Sequence, residues 1–272
     1  MSFWDHLEEF RWTIIRVIIA VLVFSVAGFI IIPKIFDAII MAPCSSDFIT
    51  YRFFEKGSQY IPFLPDFSAD SFVVDMLNIN MTTQFMTYIS TSLMFGVLCT
   101  IPYILYEVWK FISPALYENE AKGVKTAFGF GGFMFVIGCL VGYFVVFPLI
   151  FRFLITFELS EAIKNSISLD SYMNNFYTLI LIMGLVFELP LVFWLLSKLG
   201  LVYRSFFRKF RRHAVVGSLL AAALITPSGD PFSLFVVTIP IYMLWEISAF
   251  IVQKDPPEEE EEEEENLPAL FE

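Results

Sequence analysis

Six long apolar segments divide the chain, and each is bounded by charged or turn-forming residues. They span about residues 12–32, 86–106, 126–151, 175–197, 213–225 and 233–252. A helix of about 20 predominantly apolar residues crosses the roughly 30 Å hydrocarbon core of a bilayer. The pattern therefore predicts an all-α polytopic membrane protein with six transmembrane helices. The fifth segment reaches only about 20 Å, so we expect it to need a thinned bilayer or shelter among its neighbours.

The apolar content is too high for a soluble domain. Hydrophobic residues make up 57% of the 272 residues, and 33 of the residues are Phe, whereas soluble domains are roughly 45–50% apolar. The net charge of −11 arises mostly from the run Glu258–Glu265, so it describes the carboxyl-terminal end and not the apolar body. The sequence has no P-loop or dinucleotide-binding fingerprint, and we expect no nucleic-acid partner.

The sequence divides into a membrane domain and an acidic tail. We predict that residues 1–252 form the six-span domain and that residues 253–272 form a disordered acidic tail, which aids solubility. In a second interpretation, the tail is an acidic tether that contacts the basic Arg204–Arg212 segment or incoming cargo. Both interpretations stay open at the level of the sequence.

Lysine and arginine residues set the predicted orientation. Lys110, Lys122 and Lys125 follow the second apolar segment, and a basic cluster from Lys198 to Arg212 follows the fourth. Because loops rich in Lys and Arg stay in the cytoplasm, we predict that both termini are cytoplasmic. The amino terminus carries acids where a signal peptide has a basic region, so the first segment is expected to remain as a membrane anchor.

The connections and glycines predict further local structure. The outer connection at about 33–85 is long, and we expect it to hold short helices that form a cap. The stretch from Thr226 to Ser233 contains Pro and Gly and predicts a tight turn. Gly138 and Gly142 are four residues apart in the third segment, a spacing that favours close helix packing.

Cysteine and histidine give no sign of a metal or redox site. Cys44, Cys99 and Cys139 form no CxxC pair and are interpreted as small apolar residues of the core. His6 and His213 lie far apart, without a second ligand at metal-binding spacing. We therefore expect neither a metal site nor a cofactor.

Glu188 is the ionisable residue in the middle of the apolar stretch 179–196. A charged acid at this depth costs about 2.5–3.5 kcal/mol on insertion scales. Such a residue is kept when it faces a cavity, a partner or another protein. Pro190, two residues later, removes a backbone donor and can kink the helix beside this acid. Glu188 and Pro190 together predict a polar position on one face of the fourth span.

Two polar and aromatic clusters lie at the predicted cytoplasmic edge. The first contains Glu9 and Arg11, and the second runs from Tyr106 to Glu120. A carboxylate binds a guanidinium through two parallel hydrogen bonds, so two carboxylates on neighbouring segments suit a pair of adjacent arginines. Aromatic residues between them would line an apolar groove. In the alternative interpretation, these are the aromatic belts and helix-start acids common to membrane proteins.

The sequence resembles the TatC family, the core subunits of the twin-arginine protein translocase, from His6 to about Ile251. The matching motifs are His6-Leu7-x-Glu9-x-Arg11, Ala42-Pro43, Tyr106-x-Val108-Trp109-x-Phe111-Ile112-x-Pro114-Ala115-Leu116-Tyr117-x-x-Glu120, Tyr143-Phe144-Val145-Val146-Phe147-Pro148, Phe187-Glu188-x-Pro190 and Thr226-Pro227-x-x-Asp230. The chain departs from the family at Leu234, where glutamine is frequent, and in a longer outer loop.

The resemblance implies a function and a location. It implies six helices in a cupped, concave arrangement in the bacterial cytoplasmic membrane. It also implies that protein export is driven by the proton-motive force. The chain would bind twin-arginine signal peptides of folded cargo proteins and assemble with TatA-like and TatB-like single-span proteins and with further copies of itself. The implied peptide-binding residues are Glu9, Arg11, Trp109, Phe111, Tyr117 and Glu120. The implied intramembrane polar or partner-contacting residues are Glu188, Pro190, Thr226 and Asp230.

Two other function classes remain as alternatives. An ion-coupled small-solute transporter would use a midplane acid, but we identify no second intramembrane charge to relay a proton and no inverted repeat. A membrane enzyme needs a nucleophile with a base, or metal-binding acids, within the spans. Ser90, Ser92 and Glu188 offer no such motif, so we predict that the chain is not an enzyme.

Overall fold

A computed structural model describes residues 3–58, 74, 76–112, 118–157, 160 and 165–255. Ten α-helices dominate this part of the chain, and two very short strands accompany them. The helices are α1 (Phe3–Ile35), α2 (Ile49–Ser58), α3 (Thr83–Ile112), α4 (Glu118–Val141), α5 (Phe147–Thr156), α6 (Leu169–Val186), α7 (Leu189–Lys198), α8 (Arg204–Lys209), α9 (Arg211–Ile225) and α10 (Pro231–Ile251). The strands are β1 (Met76–Leu77) and β2 (Ile167–Ser168).

Five helical segments in the described part are long and apolar enough to cross a membrane. They are Leu7–Cys44, Thr83–Val108, Phe128–Thr156, Leu169–Lys198 and Pro231–Ile251. The predicted fifth span, 213–225, is also helical, but α9 has only 15 residues and is about 22 Å long. The predicted helices are therefore present, whereas α9 falls below the length of an ordinary transmembrane helix.

Helix α1 packs antiparallel to α3 through small residues. A Cβ atom added to Gly28 would lie 2.8 Å from the carbonyl oxygen of Ser92, and one added to Gly96 would lie 2.1 Å from Oγ of Ser25. One turn from this crossing, the Tyr88 hydroxyl donates to the backbone oxygen of Phe29 at 2.5 Å. The two backbones approach closely because glycine has no side chain, which is a common means of packing helices in membranes.

Helix α4 packs in the same way against the α6–α7 segment. A Cβ atom on Gly138 would lie 2.6 Å from the carbonyl oxygen of Met183, and one on Gly142 would lie 3.1 Å from Cα of Ile180. Nearer the middle of α4, Gly131 approaches Leu191. Residues later in the first segment contact residues earlier in the second, so the two segments are antiparallel. The close packing predicted from Gly138 and Gly142 is confirmed.

The connection between α1 and α3 folds over one end of the helices. A π-helical turn (Phe36–Ile40), a 3₁₀ turn (Ala42–Cys44) and α2 follow α1, so the expectation of short helices here is confirmed. The Thr50 hydroxyl donates to the backbone oxygen of Phe144 at 2.5 Å, and the Tyr172 hydroxyl donates to that of Ile40. These bonds fix the connection against a second π-helical turn (Gly142–Val146), which joins α4 to α5, and against the start of α6.

The two strands correct the all-α prediction in one detail. β1 and β2 pair in parallel, with Met76 opposite Ile167 and Leu77 opposite Ser168. Each strand has two residues, so the pairing ties the long connection to the start of α6 without forming a sheet-based core. The hydroxyl of Thr83 donates to the Asp170 carboxylate at 3.3 Å nearby, which adds a second tie between the same segments.

Many large apolar side chains lie on the outer surface of the helices. On α1 and α9 they include Ile18, Ile19, Leu22, Val23, Val26, Ile30, Val216, Leu220 and Leu224. Contiguous apolar surface on this scale is rare on proteins that face water. These helix faces are therefore suited to contact with lipid, in agreement with the predicted membrane domain.

Candidate functional site

The start of α1 lies beside the end of α3. The Phe10 and Phe111 rings pack with their centroids 5.7 Å apart, so Phe111 contacts the segment that carries Glu9 and Arg11. Aromatic pairs of this geometry contribute about 0.5–1.5 kcal/mol beyond the area that they bury. The structure thus brings one of the predicted groove aromatics to the first predicted acidic cluster.

An ion pair between the partly exposed Arg16 and the buried Glu107 holds the same two helices together. Nε and Nη2 of Arg16 donate to Oε2 of Glu107 at 3.0 and 2.7 Å, and the Tyr103 hydroxyl donates to Oε1 of Glu107 at 2.7 Å. The Glu107 side chain is only 4% exposed. With three charge-assisted hydrogen bonds, the carboxylate is well satisfied in a region of low dielectric constant.

Arg16, Tyr103 and Glu107 were not among the predicted site residues. A signal for them existed in the sequence, because Arg16 lies inside the first apolar segment and Glu107 directly follows the second. Charged residues at membrane depth are kept when they pair with one another. Their spacing along the chain gave no indication that they meet, since the contact depends on the antiparallel packing of α1 and α3.

Glu9 and Arg11 have different environments. Arg11 lies 3.5 Å from Glu8, and both side chains are 65% exposed, so this pair is weak. The Arg11 guanidinium also lies 5.7 Å from the Trp12 ring centroid. Glu9 is half-buried and has no basic partner within 4.0 Å in the described part of the chain. Glu9 is therefore available to a cation, whereas Arg11 and Glu8 make only a weak, exposed pair with each other.

The second predicted cluster is described in part. Glu120 lies in the first turn of α4, and Trp109 lies in the last turn of α3, while their side chains and all of Tyr117 lie outside the described residues. Six residue steps join Ile112 to Glu118, so these helix ends are at most about 20 Å apart. This limit keeps Glu120 in the same region of the molecule as Phe111.

Glu188 lies at a break between α6 and α7. Both helices belong to one membrane segment, and Pro190 occupies the first turn of α7, so the kink predicted from this proline is confirmed. Glu188 is 8% exposed, and neither carboxylate oxygen has a hydrogen-bond partner among the described residues. A Cβ atom on Gly131 would lie 2.9 Å from Oε2 of Glu188. The acid is thus enclosed where α4 passes the break.

Other charged residues lie in the candidate spans beside Glu188, although the sequence indicated no second intramembrane charge to relay a proton. Glu246 lies in α10, where Oε2 accepts a hydrogen bond from Arg211 at 2.5 Å and Oε1 accepts one from Tyr242 at 2.8 Å. Arg152 is buried in α5. Glu246 differs from Glu188 because its carboxylate is already paired with Arg211 and Tyr242.

Thr226 and Asp230 lie in the turn between α9 and α10. The Thr226 hydroxyl donates to the backbone oxygen of Ala222 at 2.8 Å. Asp230 is the N-cap of α10, where its Oδ1 accepts from the Ser233 backbone N–H at 2.8 Å and its Oδ2 accepts from Ser228 at 2.6 Å. Gly229 has a φ of +60°, which glycine adopts readily. The predicted tight turn is confirmed, and both residues have hydrogen bonds within the chain.

Replacing Asp230 by alanine should destabilise the turn by about 1 kcal/mol at neutral pH, because an N-cap is lost. Partial burial raises the pKa of the Asp230 carboxyl, but hydrogen bonds from Ser228 and Ser233 outweigh burial and hold the pKa below its ordinary value of 3.8. The stabilisation is therefore present above pH 3.8 and is lost as the pH falls through the folded-state pKa.

Thermal unfolding in detergent at neutral and acid pH measures this effect. A loss of about 1 kcal/mol shifts the melting temperature by about 2–4 °C in a chain of this size. Asp230→Asn is the matched control, because asparagine also caps helices and does not titrate. Equal melting temperatures for Asp230 and Asp230→Ala at neutral pH would show that the cap is unimportant.

An apolar cavity of about 910 Å³ opens among α1, α3, α4 and α6. Its lining includes Ile32, Phe95, Pro102, Cys139 and Tyr177. Pro102 also lies against Gly132, which is adjacent in sequence to the glycine that approaches Glu188. The cavity has the size of a ligand site, and its lining suits an apolar segment. No cluster of three potential metal ligands occurs in the part of the chain that the structure describes.

Comparison with known sequences relates most of the chain to one family. Residues 5–240 match the family model of the Sec-independent protein translocase protein TatC. The chain is 36% identical over 252 residues to the TatC protein of Blattabacterium sp. subsp. Periplaneta americana, which covers 92% of this chain and 94% of that protein. Identity to the TatC protein of Desulforapulum autotrophicum is 33% over 246 residues, 90% of this chain and 82% of that protein.

The fold agrees with solved structures of the same family. A crystal structure of the twin-arginine translocase receptor TatC matches with a TM-score of 0.69 at 28% identity, over 90% of this chain and 97% of that chain. A second crystal structure of that receptor, in DDM, gives a TM-score of 0.69 at 27% identity, over 91% and 99% of the two chains. With its sequence and its fold both matched over most of their length, this chain belongs to the TatC family.

Proposed function

We propose that the chain is the receptor subunit of a twin-arginine translocase and binds twin-arginine signal peptides of folded cargo proteins. One observation carries the proposal: the half-buried Glu9 has no basic partner in the described residues, on a helix end that Phe10 and Phe111 hold against α3. An unpaired acid can bind the guanidinium of a peptide arginine, and the aromatic surface beside it can contact the apolar segment that follows in the peptide. Family membership, and the likeness to a solved twin-arginine translocase receptor, support this assignment.

The proposed site divides the work among its residues. Glu9 and Glu120 each accept a guanidinium of the arginine pair. Trp109, Phe111 and Tyr117 line the apolar groove that follows, and Arg11 contacts the peptide from the same helix end as Glu9. The Arg16–Glu107 pair positions the helices, because it ties α1 to α3 two turns beyond Glu9. Such rigid support improves binding by lowering the cost of ordering the site.

Photocross-linking tests the location of the site. A signal peptide with a photoreactive residue beside its arginine pair should label residues 3–12 and the start of α4, because the proposed acids lie there. A peptide with two lysines is the matched control and should label these segments much more weakly, since lysine lacks the planar two-point contact. Labelling mainly of α8 to α10 would contradict the assignment.

The proposed topology has six crossings with both termini in the cytoplasm of a bacterium, as a cupped protein in its cytoplasmic membrane. The antiparallel packing of α1 with α3 and of α4 with α6–α7 supports this arrangement. For α9, the ion pair Arg211–Glu246 and the turn at Asp230 lie at opposite ends of the α9–α10 pair. Helix α9 thus runs alongside α10 and would make the short fifth crossing.

Glu188 is proposed as a contact for single-span partners of the TatA and TatB kind, together with Pro190, Thr226 and Asp230. Its carboxylate is enclosed and lacks a hydrogen-bond partner in the described residues, so a donor from another helix would stabilise it. Assembly with such partners and with further copies of the chain would then follow peptide binding, with transport driven by the proton-motive force.

Replacing Glu188 by glutamine should therefore leave the affinity for signal peptide within about twofold, because the two sites are independent. Cross-linking to a single-span partner from a photoreactive residue at Leu185, an exposed position one turn earlier, should fall. The peptide affinity and the cross-linking yield are measured on the same preparation. Loss of peptide binding in Glu188→Gln would contradict this division of roles.

Ion-coupled solute transport is the second candidate function, and the enclosed Glu188 is the observation that favours it. Glu107 and Glu246, which also lie in candidate spans, are each paired with an arginine, so they are poor members of a proton relay. Uptake of a small solute by liposomes that contain this chain alone, lost in Glu188→Gln, would favour transport over the receptor function.

A further inference from the structure

Helix α8 is fixed against the end of α10 by aromatic packing. Phe207 is 1% exposed. The centroid of its ring lies 4.7 Å from that of the Trp245 ring and 5.1 Å from that of the Phe193 ring. Burial of a phenylalanine contributes about 1.5–3 kcal/mol relative to exposure. The arginines that α8 carries are therefore presented from a fixed backbone.

Three arginines line a cavity of about 400 Å³ between α8, α9 and α10. We define the arginine pocket as this cavity, with Arg204, Arg208, Arg211, Phe207, Glu246, Ala249 and Phe250 as its lining. Glu246 pairs with Arg211 at 2.5 Å. The Arg204 guanidinium lies 5.4 Å from the Phe250 ring centroid and has no carboxylate within 4.0 Å in the described residues. The pocket therefore has more positive than negative charge.

The carboxyl-terminal segment leaves the folded domain at this pocket. The Gln253 backbone N–H donates to Oγ of Ser197 at 2.8 Å, and the Ser205 backbone N–H donates to Oδ1 of Asp255 at 2.9 Å. Asp255 also lies 4.0 Å from Arg208. The hydrogen bond from Ser205 lowers the pKa of the Asp255 carboxyl, so the acid is charged at neutral pH. One acid of the tail segment thus already contacts the rim of the pocket.

The next acids of the chain are within reach of the same pocket. Glu258 follows Asp255 by three residues, a distance of at most about 10 Å in an extended chain, and eight consecutive glutamates run from Glu258 to Glu265. A short tether gives its ligand an effective concentration in the millimolar range. Individual exposed ion pairs are weak, but several carboxylates beside several arginines act together at this concentration.

We propose that the glutamates Glu258–Glu265 bind in the arginine pocket as an intramolecular acidic ligand. Carboxylates of the run bind Arg204 and Arg208, where guanidinium and carboxylate match in charge and shape. The tail then covers a basic surface that would otherwise attract anionic lipid headgroups. This inference does not depend on signal-peptide binding, so it stands or fails separately from the proposed function.

Cleavage by a glutamate-specific protease tests the proposal on the full chain in nanodiscs of neutral phosphatidylcholine. Cleavage tracks the fraction of time that the tail is free, so Arg204→Gln with Arg208→Gln should speed cleavage at Glu258–Glu265 by about tenfold. The matched control is Lys209→Gln with Arg212→Gln, which removes two charges from α8 and α9 without changing the pocket lining. In the control, the rate should stay within about twofold of the parent.

Each further outcome decides the matter. Equal cleavage rates in the parent and the pocket variant would overturn the proposal. Equal acceleration in the pocket variant and the control variant would also overturn it, because the tail would then be held by a general attraction to positive charge and not by the pocket. Nanodiscs that contain anionic phosphatidylglycerol should leave the tail protected. If anionic lipid exposes the tail, the headgroup is the preferred occupant and the proposal is wrong. Thermal unfolding of each variant shows that it remains folded.

Discussion

Replacing Glu9 and Glu120 together by alanine should weaken binding of a twin-arginine signal peptide by about 10²–10⁴-fold. Each substitution removes hydrogen bonds to a charged group, which contribute about 1.5–3 kcal/mol per acid. The loss should be large because a guanidinium left without its carboxylate beside apolar surface is poorly solvated. Fluorescence anisotropy of a labelled peptide with the purified chain in detergent measures the affinity.

Glu8→Ala with Glu118→Ala is the matched control for this variant. Glu8 is exposed and paired with Arg11, and Glu118 begins the same helix as Glu120, so the control removes the same charge from the same segments. We expect its affinity to stay within about threefold of the parent, as for other surface charges. Undiminished affinity in Glu9→Ala with Glu120→Ala would remove both residues from the site.

Replacing Gly96 by valine should disrupt the crossing of α1 and α3. The first added carbon would lie 2.1 Å from Oγ of Ser25, 2.8 Å from the backbone nitrogen of Ser25 and 2.9 Å from the backbone oxygen of Val21. Two of these atoms belong to the backbone, so rotation of a side chain does not relieve the overlap. We expect a loss of at least about 3 kcal/mol, together with weaker peptide binding because α1 carries Glu9.

Thermal unfolding and peptide affinity are measured on the same variant. Gly217→Val is the matched control, because Gly217 lies in α9 with nothing within 4 Å of an added Cβ atom. We expect the control to retain the fold and the affinity of the parent. A Gly96→Val chain that melts and binds like the parent would show that the close approach of α1 and α3 is unnecessary.

The helices could be predicted from the sequence because a bilayer demands long apolar segments. The bounds were less accurate, since α1 continues to Ile35 and the helical segment to Cys44, beyond the predicted end at 32. Hydropathy locates the part of a helix that lies in lipid, whereas polar ends are continued by local hydrogen bonds. The short fifth segment was predicted correctly as unusual, because its length is visible in the sequence.

The sequence points to candidate site residues, but the contacts that support them were missed. Glu188 could be singled out because an acid in the middle of an apolar span needs a partner or a cavity, whereas Glu9 was singled out by its match to the TatC-family motif. The meeting of Arg16 with Glu107 could not be predicted from spacing, because it depends on the register between two antiparallel helices. The capping role of Asp230 was accessible in principle, since Asp before Pro231 and an N-terminal Ser233 is typical of a helix start.

The most direct test of the receptor function compares twin-arginine and twin-lysine peptides on the parent chain and on Glu9→Ala with Glu120→Ala. The parent should bind the arginine peptide at least about tenfold more tightly, because lysine cannot make the planar two-point contact. The double variant should bind both peptides with about equal affinity, since the discriminating partners are gone. Unchanged preference for arginine in the double variant would contradict the proposed recognition by these two acids.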